Sequence, residues 1–539
     1  MHVARVLRFA VVAAGCSVAA TPALAEPART ATSAGPAHGP VSFAPACHGP
    51  GRHCFAQVAM QDGTMFHFAA PPYGEIAAHS PAELQAMYHI DPSRGTGMTV
   101  ALIDAYGYPN LETDLGKYRK MFGLPPCTKA NGCLRVVNID GGTTLPTTQD
   151  DGWNVETALD VDMASAGCPR CNILVVEAEY PSDDLDLAQQ TAARLGADVI
   201  SNSWGSSEYT DDAAYEPGFD QTGVGVFASS GDEGYRAGPQ YPATSLHVIA
   251  VGGTRVKDNI VAHTATETAW TLAGSSCSGE FAAPAFQPVA AACPMRAASD
   301  VAAIADPQTG VAIYATAAGG PSSAGGTSAA SPLVAALMAG AGHPDATPAF
   351  IYRHPEAFTD ITAGSNGTCG TTMCNAGSGW DGPTGVGSPN QALLVAIGNG
   401  VGPAVTITSP ADGTTQTGAF TVEATVADGA AHVDLAIDGV RVIGIAQGPY
   451  QFSAPAIAGA GDHVVTVSAI TADHDVGTAS VTVHVPAAPA QPDAGVPSGD
   501  GGTSGGGDHG MCAAGASSGG GIWIIGAALA MARRRRRAR

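Results

Sequence analysis

The chain has 539 residues, long enough for a large domain with smaller ones beside it. Its 47 acidic against 24 basic residues give a formal net charge of -23, and the arginines at 533–537 hold several of those few cations, so the body is more acidic still. That balance excludes nucleic acid as a partner; it suits work at low pH, although solubility alone would also account for it.

Residues 1–25 carry Arg5 and Arg8, an apolar run from Phe9 to Ala20, and Ala23-Leu24-Ala25, the charged, greasy and small-residue parts of a secretory signal. Cleavage before Glu26 is expected, with lipoprotein processing at Cys16 ranked below it, and the protein is expected outside the cell or on its surface. Apart from Cys16 and Cys512, the cysteines fall into close couples, Cys47/Cys54, Cys127/Cys133, Cys168/Cys171, Cys277/Cys293 and Cys369/Cys374, which read as small disulfide loops in an exported chain. Cys168-Pro169-Arg170-Cys171 lacks a second ligand pair at zinc spacing, so a bridge is favoured over metal or redox chemistry. Residues 26–80, rich in Ala, Pro and Gly, read as a loosely structured lead-in.

From Thr99 onward, short aliphatic runs alternate with helical patterns. Strands are expected at Thr99–Asp104, Ile173–Val176, Val199–Ser201, Val224–Ala228 and His247–Val251, and helices at Leu111–Phe122, Trp153–Ala166 and Leu185–Leu195. Buried aliphatic strands separated by helices imply right-handed crossovers and an α/β fold, a parallel sheet with helices on both faces.

Three stretches carry candidate chemistry. Glu156 and Asp160 stand one helical turn apart on one face, where like charges destabilise an isolated helix. Packing of Val155, Leu159 and Met163 beside them would put both at the core edge with raised pKa values; solvated acids are the plainer alternative. Asp232, in Ser229-Ser230-Gly231-Asp232-Glu233-Gly234, follows a strand where such sheets gather their chemistry, though Gly-Asp is also an ordinary turn. In Gly325-Gly326-Thr327-Ser328-Ala329-Ala330-Ser331-Pro332, Ser328 lies at a loop-to-helix junction, which serves a helix cap as well as a nucleophile.

Taken in order, Glu156-x-x-Leu159-Asp160, Ser201-Asn202-Ser203-Trp204-Gly205, Ser229-Ser230-Gly231-Asp232-x-Gly234, Val251-Gly252-Gly253-Thr254, Asp306-Pro307-x-Thr309-Gly310 and Gly326-Thr327-Ser328-Ala329-x-x-Pro332 make residues 81–400 resemble the sedolisin family of serine-carboxyl peptidases. The resemblance implies a subtilisin-like fold, with Ser328 as nucleophile, Glu156 as general base and acid, Asp160 orienting Glu156, and Asp232 as oxyanion donor. It also implies one bound Ca2+, held by Asp360, Ile361, Gly377, Gly379 and Asp381 through carboxylates and backbone carbonyls; without it, this Gly-rich stretch with two acids reads as a turn. The chemistry agrees: a carboxylate can activate serine if its pKa is raised, and Asp232 donates to an oxyanion only when protonated. No His-Gly-Thr tripeptide is present to supply a histidine base. The chain departs from many members in having only the stretch 26–80 where they carry a large prodomain, and in Cys277-Ser278-Gly279-Glu280 near the cleft.

Beyond residue 400 the pattern changes to period two (Phe420, Val422, Ala424, Val426; Val433, Leu435, Ile437; Val481, Val483, Val485). An antiparallel sandwich over 403–486, similar to bacterial immunoglobulin-like modules, is expected to space the enzyme, since no aromatic platform for a polymer is evident. A flexible linker occupies 487–511. The tail 512–539, with an apolar run and an arginine block, resembles MYXO-CTERM-type sorting segments and implies transient or processed membrane association, with a transmembrane anchor as the alternative. The expected protein is a monomeric acid endopeptidase acting on proteins or peptides through a Ser acyl-enzyme; a tripeptidyl-peptidase, a histidine-based subtilisin and a catalytically silent adhesion protein are the alternatives.

Overall fold

The computed structural model describes residues 42–65, 78–257, 265–287, 293–397, 402–471 and 476–486, except positions 50, 222 and 439. The expected signal, linker and sorting tail, with Cys16 and Cys512, lie outside the described residues.

The aliphatic runs become strands of one eight-stranded sheet. Its order is Thr266–Ala269, Val248–Lys257, Gly225–Ser229, Val199–Asn202, Thr99–Ala105, Asn172–Ala178 and Leu134–Asn138, with Val301–Ile304 also pairing with Val248–Lys257. Every pairing is parallel except that of the edge strand Thr266–Ala269, which is antiparallel. Helices Leu111–Met121, Asp151–Gly167, Asp184–Arg194 and Thr327–Ala341 alternate with the strands, so the central runs are covered on both faces and contain few polar residues. From Thr99–Ala105 the sheet extends one way through Asn172–Ala178 and the other through Val199–Asn202. This reversal opens a crevice at the strand carboxyl ends, where Asp104, Ser203 and the loop after Ser229 meet.

The expectation of a loose lead-in is corrected for residues 42–65. Ser42–Pro45, His53–Cys54, Gln57–Gln61 and Thr64–Met65 are strands, and Gln57 and Val58 pair antiparallel with Gly325 and Ala324. The alternating run Phe55-Ala56-Gln57-Val58-Ala59 finds an open sheet edge and buries Phe55, Ala56, Val58 and Ala59 there, which outweighs its Ala- and Gly-rich surroundings. All five cysteine couples form disulfides.

Residues 405–485 form two facing sheets. One contains Val405–Ser409, Phe420–Val426 and Tyr450–Ala454; the other contains Thr414–Thr415, Val476–Val485, Gly461–Thr471, Ala430–Ile437 and Val440–Ile445. Alternate residues, among them Val422, Val433, Leu435, Phe452, Val465, Val467 and Val483, make a separate core. Among the described residues no helix is long and apolar enough to cross a membrane.

Candidate active site

The helix Asp151–Gly167 begins at Asp150, whose carboxylate accepts the Trp153 N–H at 3.0 Å. Every residue from Gly152 to Gly167 is buried. Val155, Leu159 and Met163 supply the expected apolar stripe, while Gly167 lets the backbone of the helix Thr327–Ala341 approach where a Cβ would strike Leu333 O and Ala336. Glu156 and Asp160 are therefore fully interior, not at the core edge as expected, because a second helix covers one side and the segment around Ala56 the other.

Burial, the largest influence, holds the Glu156 carboxyl well above the usual range; Ser328 counters through a hydrogen bond and the Asp104 charge reinforces. Asp160 is raised by burial, then by Asp104 and Glu156. Asp160 and Glu156 each bond elsewhere: Asp160 Oδ1 accepts the Ser203 hydroxyl at 2.6 Å, and Glu156 Oε2 accepts the Ala56 N–H at 2.8 Å. The two acids couple through their fields.

Asp104 was not anticipated as part of this group. It ends an otherwise aliphatic run at the carboxyl end of a central strand, and that signal was present in Leu102-Ile103-Asp104. Burial and then Glu177 push its pKa up to about 8. Three interior acids facing one another cannot all ionise, so they share protons and one carboxyl can serve as a base while its neighbours stay neutral.

Ser328 stands in the first turn of Thr327–Ala341, after Gly326 at φ 92°, a left-handed conformation that favours glycine. Its hydroxyl donates to the Ser203 carbonyl at 3.1 Å. Pro332 lies inside this helix and has no N–H to give the carbonyl four residues earlier, which leaves Ser328 O to the Ser203 hydroxyl at 3.5 Å. Ser203 thus contacts both Asp160 and the nucleophile candidate, a role hidden in the Ser203-Trp204-Gly205 motif.

Asp232 leaves the Gly225–Ser229 strand as expected and turns toward the same point. Its Oδ1 accepts the Thr327 N–H and hydroxyl, each at 2.8 Å. Burial raises its pKa to about 7 against those bonds and one from the Gln57 side chain. A Cβ on Gly326 would collide with Asp232 Oδ2, so this oxygen lies directly beside the start of the Ser328 helix. All four predicted catalytic residues come together.

The expected calcium ligands also share one loop system. Asp381 is fully buried, accepts the Thr384 N–H at 3.0 Å and hydroxyl at 2.8 Å, and accepts the Gly377 N–H at 3.0 Å. Asp360 accepts the Gly379 N–H at 2.9 Å. Burial raises Asp381 to about 7, and the Asp360 charge adds to the rise. A buried carboxyl with a second carboxyl near it, in a tight glycine-rich loop, has the oxygen chemistry that suits a hard divalent cation.

Residues 147–353 match the profile described as Subtilase family, and residues 403–483 that described as Bacterial Ig domain. The chain is 32% identical over 361 residues to kumamolisin of Bacillus sp. (strain MN-32), covering 59% of this chain and 64% of that one. It is 29% identical over 385 residues to sedolisin of Pseudomonas sp. (strain 101), covering 61% and 63%. It therefore spans just under two thirds of the length of these relatives. Among solved structures, Pseudomonas sedolisin, a serine-carboxyl proteinase complexed with pseudo-iodotyrostatin, superposes with a TM-score of 0.53 at 26% identity, over 60% of this chain and 98% of that one. The α/β domain is thus subtilisin-like and is followed by an Ig-like sandwich.

Proposed function

We propose that this chain is an acid serine-carboxyl endopeptidase. The observation that carries the reading is the convergence of Ser328, Glu156, Asp160 and Asp232 at one buried point. Ser328 Oγ attacks the scissile carbonyl and passes its proton to Glu156, which delivers it to the leaving amine; water then hydrolyses the ester by the reverse relay. Burial is the main cause that raises Glu156, and Asp104 and Asp160 share protons with it, so that it can serve as the base while they stay neutral. Asp232, neutral below about pH 7, donates to the oxyanion. The likeness to kumamolisin and sedolisin supports the same class.

One Ca2+ would be held by the carboxylates of Asp360 and Asp381 and the carbonyls of Ile361, Gly377 and Gly379, neutralising the acids and bracing the loop. Export fits the five disulfides. Casein hydrolysis at about pH 3 to 5, where Asp232 keeps its proton, tests the reading. Full activity in Ser328→Ala would refute it.

A further inference from the structure

The strand Thr99–Ala105 is followed by a residue in a conformation that its side chain disfavours. Tyr106 has φ 66°, in the left-handed region. Among the described residues, the other non-glycines there are Asp62, His89 and Asp438, whose side chains tolerate that conformation better than a bulky ring does.

Packing does not account for the ring. The Tyr106 N–H donates to the Ala178 carbonyl at 2.7 Å, a bond that glycine would make equally well and with less strain. The side chain is only half-buried, at the edge of the main core. The neighbouring Gly107, by contrast, is needed, because a Cβ there would meet the Pro146 carbonyl oxygen at 2.1 Å. Strain kept where the fold does not require it points to a use outside the fold.

The ring stands at the mouth of the acid cluster. Asp104, two residues earlier, is one of the buried acids that act on Glu156. Burial, then the charge of Asp150 and the hydroxyl of Tyr180, raise the Tyr106 pKa, and Asp150 caps the helix that carries Glu156 and Asp160. Tyr180, two residues beyond the strand Asn172–Ala178, meets Tyr106 edge to face, with ring centroids 6.0 Å apart and planes at 89°. Tyr180 is 52% exposed, so this right-angled pair opens to solvent. Sheet order fixes its side of the crevice: Val199–Asn202, which leads to Ser203, flanks Thr99–Ala105 on one side, and Asn172–Ala178 flanks it on the other. Ser203 and the two tyrosines therefore stand on opposite sides of Asp104.

We propose that Tyr106 and Tyr180 form a binding corner for an aromatic side chain of the substrate, on the border of the cleft opposite Ser203. The inference rests on the peptidase reading and names two residues that set its preference. Two rings at a right angle leave a corner with one wall a ring face and the other a ring edge. A third ring completes it, stacked offset on one wall and edge-on to the other, and the quadrupoles of the rings favour both contacts. An aliphatic side chain gains burial there without those contacts, and an acidic one loses hydration. Both tyrosines bind and neither moves a proton. The strained backbone at Tyr106 fixes one wall at the end of a central strand, where the ring stays in place for each substrate.

The test digests casein at about pH 4 with the full-chain wild type, Tyr106→Gly, Tyr106→Phe and Tyr180→Ala, and reads the cut sites by mass spectrometry beside thermal melts. In the wild type, aromatic residues are expected to be enriched about fivefold over their frequency in casein at one fixed position relative to the cut. Tyr106→Gly and Tyr180→Ala are expected to lose that enrichment. Tyr106→Phe is expected to keep it, since the ring binds and the hydroxyl does not. Tyr106→Gly should also melt no lower than wild type, because glycine suits φ 66°. If it melts lower, the exposed Tyr180→Ala decides, and a preference kept there overturns the inference. Casein cut by the wild type without an aromatic preference, or with one that survives both variants, overturns it too and leaves the peptidase reading standing. Enrichment of lysine or arginine in place of aromatic residues gives the corner to a cation and likewise overturns it. Failure of the wild type to cut casein at all counts against the peptidase reading itself.

Discussion

Ser203 Oγ donates to Asp160 Oδ1 at 2.6 Å, while the carbonyl of the same Ser203 receives the Ser328 hydroxyl at 3.1 Å. One residue therefore sets the positions of the proposed nucleophile and of the acid behind the proposed base. Ser203→Ala keeps the carbonyl and removes the bond that favours charged Asp160, together with the longer contact to the Ser328 carbonyl. The expected result is a kcat roughly tenfold lower, a displaced pH profile and a stability loss of about 1 kcal/mol, read by pH-rate kinetics and urea melts. An unaltered profile would show that Asp160 acts independently of Ser203.

Ser328→Ala and Glu156→Gln should each lower kcat by roughly 10^4-fold or more, and the double variant should be hardly worse than either, because the two groups act as one unit. Casein assays at acid pH, with circular dichroism to verify folding, check this. Additive losses would mean that the two residues serve separate steps.

Asp232 separates charge from hydrogen bonding. An amide reproduces the protonated carboxyl, with one oxygen for Thr327 and one donor for the oxyanion, whereas alanine supplies neither. Asp232→Ala should lose roughly 10^2- to 10^3-fold in kcat, and Asp232→Asn clearly less. The wild-type rate should fall as pH rises through about 7, where Asp232 loses its proton, and Asp232→Asn should weaken that decline. Equal losses in the two variants would remove the donor role.

The interior acids make stability depend on pH in an unusual direction. Asp104, Glu177 and Asp232 have folded pKa values of about 8, 7 and 7, above their ordinary values, with burial as the main cause. The folded state binds more protons than the unfolded one, so this stabilisation is complete in acid and is lost as pH rises toward 8. The melting temperature should fall between about pH 5 and 8, by calorimetry. A rise over that range would contradict these shifts.

Removal of Ca2+ with a chelator should lower the melting temperature by several degrees, and added Ca2+ should restore it, with about one ion bound in equilibrium dialysis. Asp381→Asn should abolish the response. No binding in either protein would reduce the loop at 360 and 377–382 to a turn.

The sheet was legible because fully buried parallel strands must be aliphatic throughout, as in Val100-Ala101-Leu102-Ile103, and little else in the chain has that pattern. Leu134–Asn138 was missed because its arginine interrupts a short run at the sheet edge. Ser328, Glu156, Asp160 and Asp232 could be singled out because their motifs stand in local contexts, a glycine before a helix or two acids one turn apart. Asp104 was passed over because a lone acid ending a strand carries no local mark of its neighbours.

The linear chain determined most of the strand pattern, the cysteine couples and the candidate catalytic side chains, since each depends on residues within a few positions of one another. Only tertiary structure decided that Ala56 faces Glu156 a hundred residues away, that Ser203 joins acid to nucleophile, and that 42–65 is sheet. Local propensity for an Ala-, Gly- and Pro-rich lead-in favours an irregular chain. The free hydrogen-bonding edge and apolar slot that overrule it are built by segments 150 to 270 residues further on, and they exist only once the chain has folded.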